Sequence, residues 1–221
     1  VQAVGKIPLD MSKQPVDMLS LSGHKLHAPK GVGVLYLRRG TKFSPLMKGG
    51  HQEKGRRGGT ENVPYILGLG KAAELAQANM EEENTRVQAL RDRLEKGLVE
   101  SIPSTIVNGE GMNRLPNTSS ICFECVEGES ILMMLDEIGV CASSGSACTS
   151  GSLEPSHVLR AMGGPFTAAH GSIRLSLSIY NKDEEVDHVL KHMPPIIENL
   201  RDISPFWKDF KEGKLPAAFA G

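Results

Sequence analysis

Hydrophobic and polar positions along the chain predict an alternation of strands and helices. Residues 16–22 alternate, with Val16 and Met18 among the apolar positions, and end in a glycine turn, which reads as a short strand. Val32-Gly33-Val34-Leu35-Tyr36-Leu37 is a nearly unbroken apolar run and reads as a buried strand. Pro64 opens a helix through Leu67 and Leu75. After the polar stretch 81–84, Val87, Leu90, Leu94 and Leu98 recur three and four apart, as on one face of a second helix that Pro103 ends. A domain boundary is placed near residue 80, giving 1–79 and 80–221. The second part continues with a strand over 119–125 and a helix over 129–138 capped by Gly139. Residues 140–143 are extended, 155–162 form a short helix, and 172–178 alternate as a half-buried strand. Asn181-Lys182-Asp183-Glu184 resembles a capping box ahead of a last helix with Val186, Val189 and Leu190 inward. Pro194-Pro195 is expected to interrupt that helix, and the tail from Ser204 onward is expected to be irregular.

Composition narrows the classes. The chain has 221 residues, 23% of them charged, and a formal net charge of -1, so no basic surface argues for nucleic acid. No apolar run reaches membrane-span length and no signal peptide is visible. Four cysteines, Cys122, Cys125, Cys141 and Cys148, are too few for a disulfide scaffold and suit a reducing compartment. The start at Val1-Gln2-Ala3-Val4, without Met or a turn signal, reads as the middle of a protein.

Two stretches carry candidate chemistry. In Ser20-Leu21-Ser22-Gly23-His24-Lys25, the lysine follows a strand, in a turn between two expected core strands. An amine held there can lose solvation and become nucleophilic enough to form a Schiff base with an aldehyde. Ser22 and His24 flank it with groups suited to a phosphate. In Ser143-Ser144-Gly145-Ser146-Ala147-Cys148-Thr149-Ser150-Gly151-Ser152, a thiol lies on a small, polar, glycine-rich loop where nothing apolar hides it. Arg174, on the polar face of its strand with Ser176 and Ser178, offers a fork for a carboxylate. The run 49–62 is a glycine-rich, charged loop with free backbone N–H groups. The cysteine spacing C-x2-C-x15-C-x6-C begins like a zinc ribbon. Against zinc, residues three apart on a strand face opposite sides, and the last gap is long and flexible. His51, His157 and His170 have no assigned role.

Ser-Gly-His-Lys followed by Pro-Lys-Gly-Val-Gly resembles the pyridoxal-phosphate lysine segment of the cysteine desulfurases, in the class V aminotransferase group of fold-type I enzymes. The Cys148 loop, with Glu154-Pro155-Ser156-His157-Val158-Leu159 after it, resembles the catalytic loop of the nitrogen-fixation type. The resemblance implies an α/β fold: the C-terminal part of a large, mostly parallel-sheet domain over 1–79, then a smaller α+β domain over 80–221. It implies that Lys25 binds pyridoxal 5'-phosphate covalently, with Ser22, Gly23 and His24 at the cofactor. Gln2, in a Gln-x-x-Gly-Lys segment, would contact the cofactor's phenolic oxygen, and the aspartate for its ring nitrogen would lie upstream of Val1. Thr60, in Gly58-Gly59-Thr60-Glu61-Asn62, would reach the phosphate of the partner subunit's cofactor in a homodimer. Arg174 would grip the substrate carboxylate, and Cys148 would take sulfur from L-cysteine as a persulfide, leaving L-alanine. The implied acceptor is an iron–sulfur scaffold protein and the implied location the cytoplasm, with the N-terminal half of the enzyme absent and no metal held by the chain itself. A selenocysteine lyase, another class V enzyme and an inactive interaction fragment are the alternatives.

Overall fold

The computed structural model describes residues 1–144 and 156–214, and these gather into two units, Val1–Asn84 and Thr85–Gly221. In the first unit, β1 (Met18–Ser22) and β2 (Gly33–Leu37) pair antiparallel, with Met18 opposite Leu37 and Ser22 opposite Gly33. A short 3-10 turn, Gly23–Leu26, follows β1. Helix α1 spans Val63–Ala78; the Asn62 side chain accepts from the Tyr65 N–H, and Pro64 sits in the first turn, where no N–H is needed. Its Leu69 and Ala72 close a small core over Leu26 and Ala28.

One expectation for this unit changes. The run 32–37 is not buried: Val34 and Leu35 are each 45% exposed, because β1 is the only strand paired with β2 among the described residues. The two units divide after Asn84. Glu83 and Asn84 bond back to Lys6, which holds them to the first unit.

The second unit is built on a three-stranded sheet in the order β3 (Thr105–Val107), β4 (Thr118–Phe123), β5 (Ser172–Ser176). Both pairings are antiparallel, with Ile106 opposite Cys122 and Ile121 opposite Ile173. All strand pairs among the described residues are therefore antiparallel, and the class remains mixed α/β. Helices α2 (Gln88–Ser101), α3 (Gly128–Glu137) and α4 (Asp183–Asp202) bring their apolar stripes onto this sheet. Val87, Leu90, Leu94 and Leu98 are all buried, the face that their spacing predicts. Gly139 takes φ 76 just past α3, as its position implies.

At the start of α4, Glu185 rather than Glu184 completes the cap: its Oε2 accepts from the Lys182 N–H at 3.0 Å and from Asn181 Nδ2 at 2.7 Å. Pro194 and Pro195 do not interrupt this helix, which runs on to Asp202. Each proline removes one backbone hydrogen bond. Met193 and Ile197, both fully buried on either side of them, hold the helix face against the core. The strand over 119–125 stops at Phe123, because Cys125 turns away with φ 62. Residues 207–211 of the tail are also more regular than expected. Trp207–Lys211 forms a helical turn, Trp207 stacks on Phe210 at 5.6 Å, and the Arg201 guanidinium lies 4.1 Å above the Trp207 ring.

Candidate active site

The turn after β1 brings Ser22, Gly23, His24 and Lys25 together. Ser22 Oγ lies 2.8 Å from His24 Nδ1, so hydroxyl and imidazole form one hydrogen-bonded pair. The Gly23 N–H donates to Val32 O at 2.8 Å, and the Ala28 N–H donates to Gly23 O at 3.1 Å. A Cβ at Gly23 would meet Val32 Cγ1 at 2.9 Å and Val32 O at 3.0 Å, so the turn can close only on glycine. Buried Leu26 and Ala28 anchor the turn from below, and His24 and Lys25 face outward. The loss of solvation expected for the Lys25 amine is not present: the side chain is exposed, because the residues that pack on this turn lie on its Leu26 side.

Gln2 is exposed and leads into a turn over 3–7, where the Lys6 and Ile7 N–H groups both donate to Ala3 O at 3.1 Å. Thr60 is exposed at the end of the loop 49–62. That loop is pinched at its neck, where the Gly58 N–H donates to Met47 O at 2.8 Å and a Cβ on Gly58 would come within 2.8 Å of Gly49 N. Inside it, Glu53 and Lys54 adopt left-handed backbone angles, φ 49 and 57.

Arg174 lies on β5 in the second unit, half-buried and opposite Ser120. Its backbone makes a two-way bridge with Ser143: the Arg174 N–H donates to Ser143 O at 2.7 Å and the Ser143 N–H donates to Arg174 O at 3.2 Å. The strand bearing Arg174 therefore fixes the point from which the Cys148 loop departs. Sequence reasoning gave Ser143 no such part. Residues 145–155, with Cys148, lie outside the described residues.

The other thiols differ in setting. Cys122 and Cys125 are buried, whereas Cys141 is exposed. Burial pushes the Cys122 thiol up, against a hydrogen bond with Asn108, whose Nδ2 lies 3.1 Å from Sγ. Burial, with the Glu124 charge, pushes Cys125 up to about 11. Neither is a ready thiolate, because burial disfavours the charged form. Among the described residues, no group of three or more His, Cys, Asp or Glu is placed to hold a metal. His170 Nδ1 lies 3.7 Å from Glu127 Oε2, while His51 is exposed in the loop 49–62 and His157 is exposed at the start of the short helix His157–Ala161.

The fold around these residues is that of solved desulfurase-like proteins. It superposes on a NifS-like protein with a TM-score of 0.80 at 38% identity, covering 90% of this chain and 51% of the other. A NifS-like protein from Rickettsia africae gives 0.81 at 31% identity, covering 90% and 52%. The chain belongs to the aminotransferase class-V family, which matches residues 1–189. It is 62% identical over 207 residues to the cysteine desulfurase NifS of Azotobacter vinelandii, covering 94% of this chain and 52% of that protein. It is 65% identical over 207 residues to a cysteine desulfurase of Gluconacetobacter diazotrophicus, again covering 94% and 52%. The chain thus spans about half the length of the curated relatives it matches. No helix among the described residues is long and apolar enough to cross a membrane.

Proposed function

We propose that the chain supplies the Lys25, Arg174 and Cys148 part of a pyridoxal-phosphate-dependent cysteine desulfurase. The observation that carries this reading is the Gly23 turn, which presents a hydrogen-bonded Ser22–His24 pair and an outward Lys25 amine side by side. A hydroxyl, an imidazole and an amine are the donor set that a phosphorylated aldehyde requires, so these residues fit the cofactor. Bound there, the cofactor would act as an electron sink for charge developing at the substrate Cα. Ser22 and His24 would hold its phosphate, and Gln2 would donate to its phenolic oxygen. Lys25 would fix it covalently and then carry a proton at Nζ.

Arg174 would clamp the L-cysteine carboxylate through two parallel N–H···O bonds and so aim the substrate sulfur in one direction. The Cys148 thiolate would attack that sulfur. The new S–S bond forms as the substrate C–S bond breaks, and the products are L-alanine and a Cys148 persulfide. An iron–sulfur scaffold protein would accept the sulfur, in the cytoplasm. The enzyme would be a homodimer, with Thr60 on the loop 49–62 reaching the phosphate at the partner's site.

Borohydride reduction of the full-length enzyme, followed by peptide mapping, tests the assignment. The reading expects the cofactor on Lys25, and a Lys25→Ala protein without turnover. A label on Lys30 overturns it.

A further inference from the structure

Lys6 and Glu83 form a buried ion pair that none of the chemistry above uses, their side chains only 11% and 4% exposed. Asn84 Nδ2 joins them, donating to Lys6 O and to Met80 O, each at 2.8 Å. Glu83 Oε2 is buried without a hydrogen-bond partner among the described residues. A buried pair that leaves an oxygen unsatisfied is a poor source of stability compared with apolar packing. Its placement gives it another use.

Lys6 belongs to the turn over 3–7, and Gln2 leads into that turn. Gly5, at φ +76, presses against the turn that bears Lys25: a Cβ there would lie 2.6 Å from Leu26 Cδ2 and 3.0 Å from Ala76 Cβ. Leu26 is buried and directly follows Lys25. One continuous set of contacts therefore runs from Glu83 and Asn84, through Lys6 and Gly5, to Leu26.

We propose that Lys6 is a positioning residue: its buried contacts with Glu83 and Asn84 set the 3–7 turn, and through it the placement of Gln2 and of the Lys25 turn toward the cofactor. This rests on the desulfurase reading. It predicts that disturbing the pair changes the electronic setting of the bound cofactor, and not merely the melting point.

The test uses the full-length enzyme and three readouts: thermal melting, the visible cofactor band across pH, and steady-state kinetics. In Lys6→Met/Glu83→Leu the pair becomes apolar volume, so the melting point is expected to stay near that of the parent. The midpoint at which the cofactor band titrates is expected to move. kcat is expected to fall roughly tenfold, with KM for L-cysteine within about twofold, because small misplacements act on chemistry more than on binding. Glu83→Gln keeps an acceptor for Lys6 Nζ and is expected to retain the parent midpoint. Glu83→Asp keeps the charge but shortens the reach and is expected to move it. A parent-like midpoint and kcat in the double variant overturn the proposal. Should the double variant not fold, a parent-like midpoint in Glu83→Asp overturns it. Borohydride labelling of the parent separates the two failures. No label on Lys25 defeats the desulfurase reading, whereas label on Lys25 with unmoved variants defeats this inference alone.

Discussion

The second unit packs helices on its three-stranded sheet and buries Leu98, Ile121, Phe123, Ile131, Met193 and Ile197 almost completely. The first unit closes over Leu26, Ala28, Leu69 and Ala72 beside a two-stranded hairpin, and leaves Leu35 45% and Leu67 68% exposed. A two-stranded ribbon is marginal by itself, and a three-stranded sheet with helices packed on it is not. The unit with the amine-bearing turn is therefore the less self-sufficient, and the unit with Arg174 is well supported. Among the described residues, the supports of the Lys25 turn are the Gly23 close approach, the Leu26 anchor and the Lys6–Glu83 pair.

Truncation of core side chains should separate the units most sharply. Ile131→Ala or Met193→Ala, at fully buried positions, should cost about 2–5 kcal/mol in denaturant unfolding. Costs below about 1 kcal/mol would mean that the second-unit core does not carry its stability.

A smaller effect is expected where the second unit ties α2 to its sheet. Glu95 accepts from Arg114 at 2.7 and 2.8 Å and from Ser119 Oγ at 2.7 Å. Burial acts to raise its pKa, but the Arg114 and Ser119 hydrogen bonds, with the Arg114 and Arg91 charges, outweigh it and leave the carboxyl below its usual range. A depressed pKa contributes stability that is complete above the ordinary 4.5 and is lost as pH falls through the lower folded value. Glu95→Gln should thus cost about 1–3 kcal/mol at neutral pH, and less in acid, in a series of melts. A pH-independent cost would contradict the assignment.

Cys125 supplies the alkaline counterpart. Its folded pKa is raised from the ordinary 9.0 to about 11, so the stability it contributes is complete below about pH 9 and fades as pH rises toward 11. Cys125→Ala should flatten that alkaline loss. Alkylation of the native protein near neutral pH should mark exposed Cys141 well before buried Cys122 or Cys125. The smallest effect belongs to the first unit: Leu35→Thr in the 221-residue chain should stay within about 0.5 kcal/mol, because the side chain is already half in water. In the full-length enzyme the same change should cost more if further chain covers that face.

Where local pattern and packing agreed, the sequence was readable. The spacing of Val87, Leu90, Leu94 and Leu98 marked a buried face, and Gly139 marked a helix end, because periodicity and caps are local properties. Where tertiary packing overrode local preference, it was not. Pro194 and Pro195 sit inside α4 because buried Met193 and Ile197 hold the helix to the core. Trp207 packs under Arg201, a contact between near neighbours that the apolar periodicity does not announce. At the candidate site, the contact between Ser22 and His24 was legible from their adjacency. The bridge between Ser143 and Arg174 and the pair between Lys6 and Glu83 join residues far apart in the chain. Gly5-Lys6 stood in a motif, but nothing local announced that the lysine would be buried against an acid.

The central claim divides the chemistry between the amine of the first unit and the thiol at Cys148. The direct test is the mass of the full-length enzyme after brief reaction with L-cysteine, in the parent and in Cys148→Ser. The account predicts one added sulfur on the parent peptide that carries Cys148. It predicts none on the Cys148→Ser protein, whose cofactor band still shifts with substrate while alanine release nearly stops. Added sulfur on Cys122 or Cys125, or normal turnover by Cys148→Ser, would contradict it.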